Sequence, residues 1–165
     1  VRLLRAYGVG RVLGADRDPR AIERLRAMGG EGASVEEIMA QADIVVATTG
    51  VKGLINPDWV RPGQIILALS NPDPEIDPVV AMQRGAAFAA DGRGINNVLA
   101  FPGLFKGALS ARTKHFSDAM LMAAAETLAE LAGGEELVPD PLDKNVHERV
   151  TEAVRVAALV TRHLQ

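Results

Sequence analysis

The sequence predicts a doubly wound α/β fold: a parallel sheet covered by helices on both faces, followed by C-terminal helices. Three observations carry this expectation. Short, nearly continuous apolar runs recur at residues 11–15, 43–47, 64–69 and 86–90, as strands buried on both faces require. Segments with helix-start signals lie between these runs. After residue 101 the pattern turns to helix alone.

Taken in order, residues 1–7 read as the end of an amphipathic helix, with Val1 and Leu4 on one side, stopped by Gly8 and Gly10. The run from Arg11 to Ala15 ends in Asp16 and reads as a buried strand. Pro19 suits the first turn of a helix running to about Met28, with Ile22, Leu25 and Met28 on one face. Gly29, Gly30 and Gly32 end it. Ser34 and Glu37 have the spacing of a capping box, opening a helix to about Gln41. Asp43–Ala47 is the next strand, Asn56–Pro57 starts a short helix, and Arg61-Pro62-Gly63 is a turn. A strand over Gln64–Leu69, a helix from Asp77-Pro78 to Gln83 and a strand over Ala86–Ala90 follow. Helices are predicted at about 101–114, 117–132 and 143–164, with Ser117 and Asp143 as caps.

Composition narrows the function classes. With 165 residues, 48% hydrophobic and 24% charged, the chain can bury a real core. Aromatics make up 4%, so that core is aliphatic. The 18 basic residues are scattered and the net charge is −3, which argues against a nucleic-acid surface. The absence of cysteine excludes a disulfide scaffold and a thiolate zinc site, and it fits a cytoplasmic protein. No apolar run approaches the roughly 20 residues of a membrane span, and no signal-peptide pattern opens the chain.

Gly8-x-Gly10-x-x-x-Gly14 has the look of a dinucleotide fingerprint, but a helix leads into a strand here. The fingerprint needs the reverse order, so that a helix N-terminus faces the pyrophosphate. The expectation is therefore a Rossmann-like sheet whose first strand and glycine loop lie upstream of Val1. In the order 3-2-1-4-5-6 that strand is central, and without it the second and fourth have no shared neighbour. The domain reading follows: residues 1–100 form a partial dinucleotide-binding domain, and residues 101–165 form a helical extension packed on it.

Candidate site residues fall at the carboxyl ends of the strands, where open α/β sheets bind ligands. Asp16 is placed to hold the adenosine ribose hydroxyls, and Arg17 beside it could accept a 2′-phosphate. Both NAD and NADP remain open, with the acid favouring NAD. Thr48-Thr49-Gly50 offers small hydroxyl residues and a glycine that let a ribose approach the backbone. Asn71, in Ser70-Asn71-Pro72, lies where a substrate or nicotinamide could sit. Asn96 and Asn97 sit between a Gly-rich turn and Phe101-Pro102-Gly103, and an amide can donate and accept at once. Asp143 and His147 share a helix face, a spacing that surface charge pairs commonly adopt, and the three histidines form no metal constellation.

These residues also carry a family likeness. Ser70-Asn71-Pro72-x-Pro74-Glu75-Ile76, Gly92-Arg93, the run Asn96–Leu109 and the tail Leu137–Asp143 resemble the NAD(P)-binding domain of bacterial malic enzymes. The resemblance covers nearly the whole chain. It implies oxidation of malate with NAD or NADP and decarboxylation to pyruvate and CO2, with a divalent metal such as Mg or Mn. It implies that Asn71 and Asn97 contact malate or pyruvate, with Asn96 beside the nicotinamide. Cofactor contacts are implied at Asp16 and around Thr48–Gly50. The family's catalytic Tyr and Lys and its acidic metal ligands lie in an amino-terminal domain outside this sequence. Catalytic residues and the metal ligands are therefore expected in that partner domain, and the chain is expected to be inactive alone and to act in a homo-oligomer. Two alternatives stand beside this reading: a non-catalytic nucleotide-binding or oligomerisation module, and another Rossmann dehydrogenase.

Overall fold

The computed structural model describes residues 1–93, 100–133 and 138–163, the side chains of 162 and 163 excepted. The chain divides into two compact units, Val1–Ile95 and Asn96–Gln165.

The first unit is the α/β part. Its elements are α1 (Arg2–Ala6), β1 (Leu13–Gly14), α2 (Pro19–Ala27), β2 (Glu31–Gly32), α3 (Val35–Gln41), β3 (Ile44–Ala47), a 3-10 turn at Pro57–Trp59, β4 (Ile65–Ala68), α4 (Pro78–Gln83) and β5 (Phe88–Asp91). Every strand pair is parallel, but the strands form two sheets: β1 with β2, and β3-β4-β5. Among the described residues no strand joins the two sheets.

Local chemistry explains the helix starts. Asp18 accepts from the Arg20 N–H at 2.9 Å, Asp77 from the Val79 N–H at 2.8 Å, and Asn56 from the Asp58 N–H at 3.0 Å. A proline follows each cap, where its missing N–H costs nothing. At α3 the capping box is complete: Ser34 Oγ accepts from the Glu37 N–H at 3.1 Å, and Glu37 accepts from the Ser34 N–H at 2.7 Å. The far end of α3 is stitched to the start of β4. Arg61 donates to the carbonyls of Met39 at 3.0 Å and Ala42 at 2.8 Å, and Gln64 donates to the same two oxygens at 2.8 Å each. These carbonyls would otherwise be left over at the helix end.

The core of this unit centres on β4, the middle strand. Met39, Ile66, Ala68, Ile55 and Ile76 are buried there, and each large side chain contributes roughly 1.5–3 kcal/mol through burial. The strand expectations need two corrections. The run 11–15 yields only a two-residue strand, paired with a strand at Glu31–Gly32 that the sequence reading assigned to helix-ending glycines. β3 is buried on one face only: Val45 and Ala47 enter the core, while Ile44 and Val46 are 60% and 57% exposed.

The second unit is helical: α5 (Gly103–Ser110), α6 (Asp118–Leu131) and α7 (Lys144–His163). Val146, Val150, Val154 and Ala158 recur every fourth residue on α7 and are buried with Met120 and Ala124 of α6 and Ala108 of α5. Two glycines let α5 press onto α7. A Cβ at Gly103 would lie 2.8 Å from Val150 Cγ1, and one at Gly107 would lie 2.6 Å from the Thr151 carbonyl oxygen. The helix predicted to 114 stops at Ser110. Arg112 turns left-handed (φ 52°), and the Thr113 N–H closes back onto the Ala108 carbonyl at 3.1 Å. Ser117 caps α6 by accepting from the Met120 N–H at 3.3 Å.

Candidate dinucleotide rim

Parallel strands carry their carboxyl ends to one edge of a sheet. In β3-β4-β5 that edge bears the loops at Thr48–Gly50, Ser70–Pro72 and Gly92. The first loop lines a cavity of about 750 Å³ together with Ala15, Asp16 and Arg17, just after β1. Asp16, Arg17, Thr48 and Thr49 all line this cavity. Ile22 and Arg26 of α2 and Ser34, Val35 and Glu37 at the start of α3 also line it. The cavity is large enough for a drug-sized or nucleotide-sized ligand.

The polar side chains around it are not equally available. Asp16 Oδ1 accepts from the Asp18 N–H at 2.8 Å, which fixes the turn into α2 and leaves its second carboxylate oxygen. Capping and ligand-holding are thus compatible in this acid. Arg17 and Thr48 make no side-chain hydrogen bond to another described residue and are exposed. Thr49 is committed elsewhere. Its hydroxyl donates to Glu75 Oε1 at 2.8 Å and accepts from the Val51 N–H at 3.2 Å. Gly50 has φ +69°, a left-handed conformation that suits glycine, and its N–H donates to Ser70 Oγ at 2.8 Å.

Glu75 is a buried acid on this edge that the sequence did not single out. It stands in the quoted motif, but a glutamate in a loop ordinarily reads as solvated charge. Here it is 0% exposed. Burial pushes its carboxyl up, yet donors from Ser70 and Thr49 together overcome this and hold it below the usual carboxylate range.

Asn71 is exposed, and its Nδ2 donates to the Gly92 carbonyl at 3.4 Å, linking the second rim loop to the turn after β5. That turn is tight because Asp91 Oδ1 accepts from the Arg93 N–H at 3.0 Å. Asp16, Arg17, Thr48 and Thr49 therefore share one cavity, while Gly50 and Asn71 continue the same edge. Asn96 and Asn97 lie outside the described residues. His147 points its Nε2 at the Pro141 carbonyl, 2.9 Å away, and Asp143 accepts from the Asn145 N–H. The Asp143–His147 face thus serves the entry into α7, and among the described residues no three acids or histidines gather as a metal cage.

Comparison with known proteins shows the family of the chain. Residues 19–165 match the sequence pattern of the family described as "Malic enzyme, NAD binding domain". The NAD-dependent malic enzyme 1 of Bacillus subtilis is 54% identical over 159 residues, which cover 96% of this chain and 36% of that protein. The NADP-dependent malic enzyme of Rhizobium meliloti is 36% identical over 78% of this chain and 20% of its own length. Among solved structures, the NAD-dependent malic enzyme of Thermotoga maritima superposes with a TM-score of 0.81 at 30% identity, over 93% of this chain and 47% of that one. The chain thus spans about a third of the first of these relatives and under half of the others.

Proposed function

The chain belongs to the malic enzyme NAD-binding family, and on that premise we propose that it is the cofactor-holding part of an enzyme that oxidises and decarboxylates malate. The single observation that carries this reading is the cavity between Asp16-Arg17 and Thr48-Thr49. One wall is an acid at a strand end, suited to a vicinal diol; the other is a small-residue loop. Both units are read as parts of one family domain.

In this reading Asp16 accepts hydrogen bonds from the adenosine ribose hydroxyls, which favours NAD over NADP. Arg17 is the cation that would meet a 2′-phosphate. Thr48 offers its hydroxyl, and Gly50 gives the ribose access to the backbone. Asn71 and Asn97 hold the malate carboxylate, and Asn96 lies beside the nicotinamide; these amides orient the substrate without adding charge. The dinucleotide, when bound, supplies the hydride acceptor. A divalent metal, Mg or Mn, is held mainly by residues outside this chain. A cytoplasmic homo-oligomer that includes the amino-terminal catalytic domain completes the proposal.

Calorimetric titration tests it. The chain should bind NAD more tightly than NADP, and Asp16→Ala should weaken NAD about tenfold, as losing a charge-assisted hydrogen bond does. In the full-length enzyme, Asn97→Ala should impair malate use far more than NAD binding. Failure of both dinucleotides to bind, with no activity on mixing with the amino-terminal half, would favour an oligomerisation module.

A further inference from the structure

Three donors converge on one oxygen of Glu75. Oε1 accepts from the Thr49 N–H at 2.6 Å, from the Thr49 hydroxyl at 2.8 Å and from the Ser70 hydroxyl at 2.6 Å. Oε2 receives the longer approach of the Ser70 N–H at 3.4 Å. Ser70 Oγ in turn accepts from the Gly50 N–H. A continuous relay therefore runs from Gly50 through Ser70 to Glu75 and back to Thr49. The main chain repeats the link, because Ile55 donates to the Glu75 carbonyl at 3.0 Å and Gly53 to that of Pro74 at 3.2 Å.

A carboxylate taken out of water is costly unless fixed donors replace its hydration. All the donors here are neutral hydroxyls and N–H groups, and they come from the two loops that carry Thr49, Gly50 and Asn71. Nothing in the catalytic reading uses this acid, and it does not reach the cavity. We propose that Glu75 is a positioning residue that locks the loops after β3 and β4 into one rigid rim, so that their ligand-facing groups meet the dinucleotide as a unit. This inference rests on the cofactor reading of the same edge. Neutral donors suit the task, since they brace the loops without placing a fixed cation that would compete for the cofactor's phosphates.

The test combines amide hydrogen exchange with NAD titration on the chain. Glu75→Gln keeps the side chain's size but removes the charge and turns a donor toward the Ser70 N–H. Ser70→Ala, a small change, breaks the relay should Glu75→Gln fail to fold. In either variant the Thr49 and Gly50 amides should exchange at least tenfold faster while the Ile66 amide is unchanged, and NAD affinity of the folded protein should fall about tenfold. Unchanged NAD affinity with both variants folded would overturn the proposal. So would exchange that rises equally throughout the unit, which marks a merely structural acid. If the unaltered chain binds no NAD, alone or mixed with the amino-terminal half, the cofactor reading falls by itself, and the exchange pattern alone decides whether Glu75 locks the rim.

Discussion

Asn71 Nδ2 donates to the Gly92 carbonyl oxygen at 3.4 Å, and this pairing leaves no room for a side chain at residue 92. A Cβ there would stand 2.6 Å from Asn71 Nδ2 and would also press on the Leu69 carbonyl. Two of the three rim loops are thus held together by a glycine's bareness.

Gly92→Ala should therefore displace Asn71 and cost about 1–3 kcal/mol, the usual range for overpacking a close contact. Urea unfolding gives the cost, and the NMR shifts of the Asn71 side-chain amide report the displacement. Unmoved shifts would show that the turn yields instead.

Gly107→Ala should loosen the helical unit by a similar 1–3 kcal/mol, because its Cβ would meet backbone of α7 rather than a pliable side chain. Gly133 has nothing within 4 Å of a built Cβ, so Gly133→Ala serves as control and should lie within about 0.5 kcal/mol of the parent. Equal effects at the two positions would discredit the tight α5–α7 approach.

Ser34→Ala should destabilise the first unit by about 1 kcal/mol, as loss of an N-cap does. The Glu37 carboxyl is held below the ordinary range first by the Ser34 N–H and then by its hydroxyl. A depressed carboxyl contributes stability above its unfolded pKa, near 4.3, and loses it as pH falls through the folded value. The acid limb of the stability curve should therefore shrink in Glu37→Gln, measured by thermal melts from pH 6 down to pH 3.

The same sign holds at Glu75, for which burial raises the carboxyl and the Ser70 and Thr49 donors lower it further than that. Dinucleotide affinity of the parent chain should be flat from pH 7 to pH 5 and decline as Glu75 takes up a proton below its ordinary range. Glu75→Gln should be weak throughout and lack that decline; a decline that survives in the variant would assign it to another acid.

Ile66→Ala should cost about 2–5 kcal/mol by chemical denaturation, because Ile66 is fully buried in the central strand. A loss under 1 kcal/mol would mean the core around β4 closes over the gap.

Much of this architecture could be read from the residues. Capping signals at Ser34, Asn56, Asp77 and Ser117 depend on neighbours two or three positions away, and each appears as an N-cap. Apolar runs placed β3, β4 and β5 to within one or two residues, since burial writes itself into composition. Strand β2 escaped because two exposed residues, one of them glycine, have no periodicity to detect. The roles of Glu75, Gly92 and Gly107 escaped for a different reason. Each depends on a partner from another part of the fold, and no local pattern separates a buried glutamate from a solvated one. Asn96 and Asn97, the amides on which the family likeness leans most, lie outside the described residues.

Arg61 carries one more consequence. Its planar fork serves two carbonyls at once, beside a glutamine that serves the same pair. A lysine could still donate to both oxygens, but from one flexible ammonium and without the fixed fork that pairs Nε with Met39 and Nη2 with Ala42, so the usual interchange of basic residues is not conservative at this position. A site far from any ligand can thus be as intolerant of drift as the rim itself, and variation among natural copies of this chain should be read there as a record of helix-end geometry rather than of chemistry.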